Sequence, residues 1–200
     1  MDIHHFDQDF YGAQTFQGLA AQGGALDYIE FEDCTFKDCQ FFETVFTQCK
    51  FVDCTFVRCD LHAMAVPMCR FLGVVFEDCQ VMSVAWPAAN WPRISSADAL
   101  RFRQCDISAS SFSGLALEGL VVEDCKAHAV DFRGGAFPRA RFSYSDLSGS
   151  MFAKTDLTAG DFTDSMNYDI DIFHNILSKA SFSRDEATRL LYCMDINLVD

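Results

Sequence analysis

The stretch that decides the fold is FEDCTFKDCQFFETVFTQCKFVDCTF, residues 31–56, in which every fifth residue is phenylalanine. A period of five does not fit an α-helix, because a step of about 100° per residue scatters these phenylalanines around the axis. It does not fit a flat strand either, because an odd period sends alternate phenylalanines to opposite faces. It fits a chain that turns a corner about every five residues and keeps the phenylalanine side chains inside.

The same apolar position, called the centre here, recurs over most of the chain. It continues to Trp91, resumes one residue out of phase at Phe102, and reaches Phe182 with Asn167 as a polar break. The position two residues before most centres is small, and nine of the ten cysteines occupy it; only Cys193 does not. This placement favours cysteine as a small buried hydrophobe over disulfide pairing or metal binding.

Four five-residue sides make a coil of about twenty residues, and successive coils then stack about 4.8 Å apart, the spacing of β ladders. Centres twenty residues apart fall into columns inside the coil. The sequence therefore predicts an all-β parallel β-helix with four sides. The predicted core columns include Phe31, Phe36, Phe51, Phe56, Phe71 and Phe76.

The phase shift between Trp91 and Phe102 divides the chain, and Pro87 and Pro92 flank the shift. Proline removes a ladder donor, so we expect a kink or a short loop here. A hinge, a partner contact and a tolerated one-residue insertion all fit this pattern. The predicted organisation is a partial coil and cap (1–25), a first β-helix segment (26–91), a loop or kink (92–101), a second segment (102–182), and a C-terminal helix and tail (183–200).

A solenoid end exposes apolar side chains and needs a cap. The residues Ser183 to Glu186 have the pattern of a capping box, with Ser183 as the N-cap of an α-helix and Glu186 reaching back. Apolar residues then follow along one helical face, which predicts a helix that caps its own chain and pairs with a second copy. The predicted homodimer interface comprises Phe182, Ala187, Leu190, Leu191 and Met194.

The formal net charge is −14, with 29 acidic and 15 basic residues. Such a surface repels nucleic acid and anionic membranes and suits a partner with a basic surface, although solubility alone also accounts for it. No apolar run is long enough to span a bilayer, and the N-terminus has no basic and apolar signal pattern. We therefore expect a cytoplasmic protein that binds neither membranes nor DNA directly.

No catalytic motif is present in the sequence. It has no glycine-rich phosphate loop, no H-E-x-x-H motif, no C-x-x-C pair and no nucleophile elbow, and its five histidines are scattered. Cys193 is either a packed residue of the cap or a reactive thiol. These observations predict a protein that is not an enzyme and uses no metal or cofactor.

The segments SDLSG (145–149) and TDLTA (155–159) have a small residue, a polar residue, leucine and two variable residues. This pattern resembles the pentapeptide repeat family, and the resemblance extends over about residues 26–182. It implies a right-handed quadrilateral β-helix and, by itself, no particular function.

A narrower resemblance lies at the C-terminal end. The segment NYDIDIFHN (167–175), with the helix that follows, looks like the topoisomerase-protecting members of the family: the quinolone-resistance, microcin-immunity and especially the albicidin-resistance proteins. It implies a DNA mimic that binds DNA gyrase, and possibly topoisomerase IV, and gives resistance or self-immunity to a topoisomerase poison. The long loops of some quinolone-resistance proteins have no obvious counterpart here.

Under this hypothesis the acidic outer faces near the dimer seam contact the basic DNA-binding surface of the enzyme. The candidate partner-binding residues are Asp146, Asp156, Asp161, Asp164 and Asp171. Two alternatives remain open: a generic interaction scaffold without a topoisomerase partner, and an enzyme with a site at the kink.

Overall fold

A computed structural model describes residues 6–92, 99–194 and 196 of the 200-residue chain. The predicted all-β fold is confirmed: the chain winds into a parallel β-solenoid of about eight turns. The strands of the first segment are β1 (Phe10–Gly12), β2 (Thr15–Gln17), β3 (Ala25–Asp27), β4 (Glu30–Glu32), β5 (Thr35–Lys37), β6 (Val45–Thr47), β7 (Lys50–Val52), β8 (Thr55–Val57), β9 (Arg70–Leu72) and β10 (Val74–Glu77). Those of the second are β11 (Leu100–Arg103), β12 (Val121–Glu123), β13 (Asp161–Phe162) and β14 (Ser181–Phe182).

Each side of the coil forms its own parallel ladder. Side one is the sheet β1-β4-β7-β9, and side two is the sheet β2-β5-β8-β10-β11-β12, continued by β13-β14. Side three is held by single bridges, such as Gln40 to Asp60 and Asp106 to Lys126. Side four begins with β3-β6 and continues through single bridges such as Asp131 to Met151. Within each segment most paired residues are twenty apart in sequence, so each coil repeats the one before it.

The centres fill the inside of the solenoid in stacked columns. On side two, Phe36 lies over Phe56 with ring centroids 4.6 Å apart, and Phe56 lies 5.0 Å from Phe76. On side one, the rings of Phe31, Phe51 and Phe71 follow one another at 5.2 and 5.3 Å. Burying each of these side chains contributes about 1.5–3 kcal/mol, so the columns are the main stabilising element.

The corners require an unusual backbone. The residue two positions after most centres has a positive φ, between +49° and +61° where it is not glycine. Such a conformation costs an L-residue roughly 1–2 kcal/mol. The ladder offsets this cost, because the corner N–H donates to the next coil; Asp53 N, for example, lies 2.8 Å from Leu72 O. The buried side chains and the ladder hydrogen bonds therefore determine where the chain turns, and the type of residue at the corner has less influence on the turn.

The break between the two segments is longer than the repeat phase indicates. Phe76 pairs with Phe102, and Val74 pairs with Leu100, so the register here is 26 residues rather than 20. The coil at the break therefore contains six residues more than the regular twenty, and the predicted one-residue insertion is wrong. The sequence pattern could not show the other five residues, because adding a whole five-residue side leaves the spacing of the centres in phase. Trp91 stacks on Phe71 at 5.9 Å where the chain leaves side one. Of the predicted loop or kink over 92–101, residues 93–98 lie outside the described residues.

The C-terminal end departs from the prediction in two ways. Residues Glu186–Met194 form a 3-10 helix rather than an α-helix. The capping box is not formed, because Ser183 Oγ bonds Asp164 and Glu186 Oε1 accepts the N–H of Asn167 at 2.7 Å. Both side chains thereby tie the helix to the last full coil. The tail residues 197–200 lie outside the described residues.

The core near Asn167 also differs from the simple repeat. Asn167 adopts a corner conformation with φ +60°, and the next residue, Tyr168, is fully buried in its place. Ile170 is also buried and bridges to Phe152. The register is shifted by two residues at this side, 18 between Phe152 and Ile170 instead of 20, so a tyrosine ring rather than the Asn167 amide fills the core.

Candidate partner-binding surface

Three of the predicted acidic contacts share one local geometry. Asp146, Asp156 and Asp161 each occupy the outward position immediately before a centre, and each carboxylate accepts the backbone N–H two residues later at 2.9–3.1 Å. The hydroxyl of the serine or threonine at that later position also donates to the same carboxylate oxygen. Such Asx turns fix the carboxylate orientation. The aspartate-x-serine/threonine spacing in the sequence is the signal that predicts this geometry.

The five predicted acidic residues do not form a single face. Asp161 and Asp164 lie together on side two and its corner, whereas Asp156 lies on side one and Asp146 on side three. Asp171 lies in the last coil, just after the local register shift, where its carboxylate accepts from Phe173 N at 2.7 Å. The structure therefore brings together one pair and distributes the other three around the rod.

The five residues also differ in their polar neighbours, because two of them lie against histidines. Asp146 is 2.8 Å from His128 Nε2, and Asp171 is 2.5 Å from His174 Nδ1. Burial works against ionisation of Asp146, but hydrogen bonds from Ser148, Asn167 and His128 outweigh it and hold its pKa well below the usual range. Within the described residues, the other three predicted aspartates form no ion pair, so their negative charges are not compensated locally.

Charge varies along the rod. Residues 6–92 carry 12 acidic and 4 basic residues, a net of −8; residues 99–144 carry 5 and 6, a net of +1; residues 145–182 carry 6 and 2, a net of −4. In the middle section the charges pair between and within coils, as in Lys126 with Asp106 at 3.1 Å and Arg133 with Asp131 at 2.9 Å. The rod thus has two acidic ends and a nearly neutral middle.

The C-terminal end of the solenoid is apolar. Phe182 stacks on Phe162 at 4.9 Å and stays half-buried, and Leu190 packs against the core. The other predicted dimer residues are the half-buried Ala187 and Leu191 and the exposed Met194. The sequence analysis missed further large apolar side chains exposed in the last coil and helix, namely Phe173, Ile176 and Tyr192.

The cysteines do not form a chemical site. Nine are buried and unpaired, and burial raises the pKa of Cys54 to about 12, so its thiol is not ionised at neutral pH. Cys193 is half-buried, and its thiol donates to Leu190 O at 3.2 Å. Across residues 6–92, 99–194 and 196, no group of histidine, cysteine or acidic side chains is arranged to hold a metal ion. The two helices of the described residues are the short 3-10 helix Trp86–Ala88 and the 3-10 helix Glu186–Met194, and neither is long and apolar enough to cross a membrane.

Five-residue sides, inward small and large positions and a charged exterior define a parallel β-solenoid of short repeats. The chain belongs to the pentapeptide repeat family. One family model, a pentapeptide repeat region, matches residues 29–98, and a second, with eight copies of the pentapeptide repeat, matches residues 128–164. Together they match 70 and 37 residues, 107 of 200.

The chain is similar to solved structures of QnrB1, a plasmid-mediated fluoroquinolone resistance protein. The full-length QnrB1 structure matches with a TM-score of 0.57 and 21% identity, covering 94% of this chain and 100% of QnrB1. Two trypsin-treated QnrB1 variants match with TM-scores of 0.57 and 0.54, identities of 20% and 23%, and coverage of 96% of this chain and 100% and 92% of theirs. At these identities the likeness concerns the fold. No curated protein sequence matches the chain significantly.

Proposed function

We propose that this protein is a non-catalytic DNA mimic that binds DNA gyrase, and possibly topoisomerase IV, and confers resistance or self-immunity to a topoisomerase poison. The observation that carries the proposal is an acidic rod whose fold is that of a fluoroquinolone resistance protein over nearly its whole length. An acidic rod complements a channel built to hold DNA, because complementary charge steers and orients the encounter.

The dimensions and the charge support this comparison. Side two contains nine successive levels, from Phe16 to Phe182, so the described solenoid is about 38 Å long at 4.8 Å per step. A DNA duplex of that length carries roughly 22 phosphates. A net charge of −14 is lower but of the same sign. We therefore expect the protein to compete with DNA in the enzyme and to bind less tightly as salt rises.

The apolar C-terminal end supports a dimer in this proposal. The exposed rings of Phe173 and Tyr192, with Met194, leave apolar surface at the end of the stacked core. Covering that surface with the same end of a second copy buries it in a closed two-fold contact. Two rods joined in this way present both acidic C-terminal sections close to the seam.

The experiment is gyrase supercoiling in the presence of a fluoroquinolone, with albicidin and microcin B17 as separate poisons. We expect the protein to restore supercoiling with at least one poison. The double variant Asp161→Asn/Asp164→Asn removes two uncompensated charges on one side, and we expect it to weaken the rescue.

The matched control is Asp106→Asn/Asp131→Asn, which removes two outward carboxylates already paired with Lys126 and Arg133. It changes the net charge equally and should leave the rescue nearly intact. Absence of rescue with every poison, at any protein concentration, rejects the proposal. Equal loss in both double variants rejects the assignment of the contact to Asp161 and Asp164.

A second candidate is a protein-interaction rod without a topoisomerase partner. The charge distribution favours it, because the middle section is nearly neutral and the candidate carboxylates lie on different sides. This alternative predicts that purified gyrase neither binds the protein nor shows any salt-dependent competition with DNA.

A further inference from the structure

A polar ridge runs along the outside of side one, next to the break between the segments. It consists of Glu30, Lys50, Arg70 and Asn90, which follow one another at the outward position on successive coils. Lys50 Nζ lies 2.5 Å from Glu30, so its charge is compensated. Arg70 is exposed and forms no ion pair within the described residues. An uncompensated guanidinium therefore stands in a section whose net charge is −8.

Large apolar side chains flank Arg70 on both edges. Met68 is 53% exposed at the corner before it, and Leu72 is 46% exposed on the other edge of its strand. Tyr28 lies two coils from Met68 at the same corner and is 67% exposed. Arginine, methionine and aromatic residues are the side chains enriched in protein interfaces.

Two shallow cavities of about 290 and 400 Å³ lie on either side of this ridge. Both are lined by Lys50, Arg70 and Asn90; the smaller also includes Tyr28 and Met68, and the larger Leu72. The surface is thus a central cation between two hollows with partly apolar walls.

We propose that this surface, defined by Met68, Arg70 and Leu72, docks an acidic segment of a protein partner. A carboxylate of the segment pairs with the Arg70 guanidinium, and apolar side chains on either side of that carboxylate enter the two hollows. The charge argues for this occupant, because Arg70 pairs with no carboxylate of the described residues, whereas its neighbour Lys50 pairs with Glu30. The contact is opposite in sign to the acidic faces, so it does not depend on the proposed topoisomerase partner.

The probe is a phage-displayed library of random peptides, panned against the full-length protein with the Arg70→Glu variant for counter-selection. We expect the enriched peptides to combine aspartate or glutamate with leucine, methionine or phenylalanine. The dissociation constant of a synthetic enriched peptide, measured by fluorescence anisotropy, should rise about tenfold or more with Arg70→Glu. Met68→Ser/Leu72→Ser should weaken binding without changing the charge.

The control variant is Lys154→Glu, which reverses an exposed cation that also has no ion-pair partner in the described chain but lies at a different corner. It should leave peptide binding unchanged. The proposal is overturned if no peptide survives counter-selection, if enriched peptides lack acidic residues, or if both charge reversals weaken binding equally. Sedimentation velocity tests the other occupant: self-association lost in Arg70→Glu assigns the surface to a second copy and also overturns the proposal.

Discussion

Substitution of Cys79 tests whether the buried cysteines act only as apolar filler. The thiol lies in a column of small residues, where the N–H of Cys59 donates to Cys79 Sγ at 3.2 Å and the thiol faces Phe56 O at 3.4 Å. Alanine at this site removes the acceptor of a buried N–H. Leaving such a donor unsatisfied costs about 1–3 kcal/mol.

Serine should be tolerated better than alanine, because the same column already contains a serine that makes both bonds. Ser145 Oγ accepts the N–H of Cys125 at 3.0 Å and donates to Val122 O at 3.0 Å. We therefore expect Cys79→Ser to lower the free energy of unfolding by less than about 1 kcal/mol, and Cys79→Ala by at least about 1 kcal/mol more than serine.

Urea denaturation followed by circular dichroism gives the free energies of unfolding of the three proteins. The order is diagnostic, because a purely apolar site favours alanine over serine, whose hydroxyl is costly to bury without a partner. If Cys79→Ser is less stable than Cys79→Ala and the m-values are equal, the role of the hydrogen bonds in this column is refuted.

Three further predictions concern the core and one carboxylate. The buried Tyr168 hydroxyl has no hydrogen-bond partner among the described residues, so Tyr168→Phe should raise the unfolding free energy by about 1 kcal/mol, and a loss of stability in urea contradicts this. Gly135→Ala places a methyl group 2.5 Å from the Phe137 ring and should lower the free energy of unfolding by about 1–3 kcal/mol. Gly160→Ala, whose methyl group has its nearest contact at 3.0 Å, should lower it less, and equal urea midpoints contradict this order. The pKa of Asp146 is lower in the folded than in the unfolded protein, so its ionised carboxylate stabilises the fold at pH values above the unfolded pKa, which is near 4. This stabilisation is lost as the pH falls through the folded pKa. The stability difference between wild type and Asp146→Asn should therefore shrink below about pH 4, and a constant difference contradicts the assignment.

The acidic surface shows where sequence reasoning succeeds and where it stops. The outward register of Asp156 and Asp161 follows from their place before a centre, and the structure puts both on the exterior. The same register does not show which carboxylates are compensated, because several ion pairs join residues about twenty apart, as in Lys126 and Asp106. Arg70 is the converse case: its sequence neighbours do not distinguish it from Lys50, yet in the part of the chain that the structure describes Lys50 pairs with a carboxylate and Arg70 does not.

The sequence by itself determined the coil. Bulky residues recur every five positions, and small residues lie two positions before them. Only a chain that turns a corner after each five-residue side buries all of these side chains. The sequence did not determine the length of the excursion before Phe102, because adding a whole side leaves the phase unchanged. It also did not determine that Tyr168 replaces Asn167 inside, or that Ser183 and Glu186 bond the last coil instead of capping a helix. Those outcomes depend on contacts between coils, where residues distant in sequence compete for the same partner, and only the tertiary structure settles that competition.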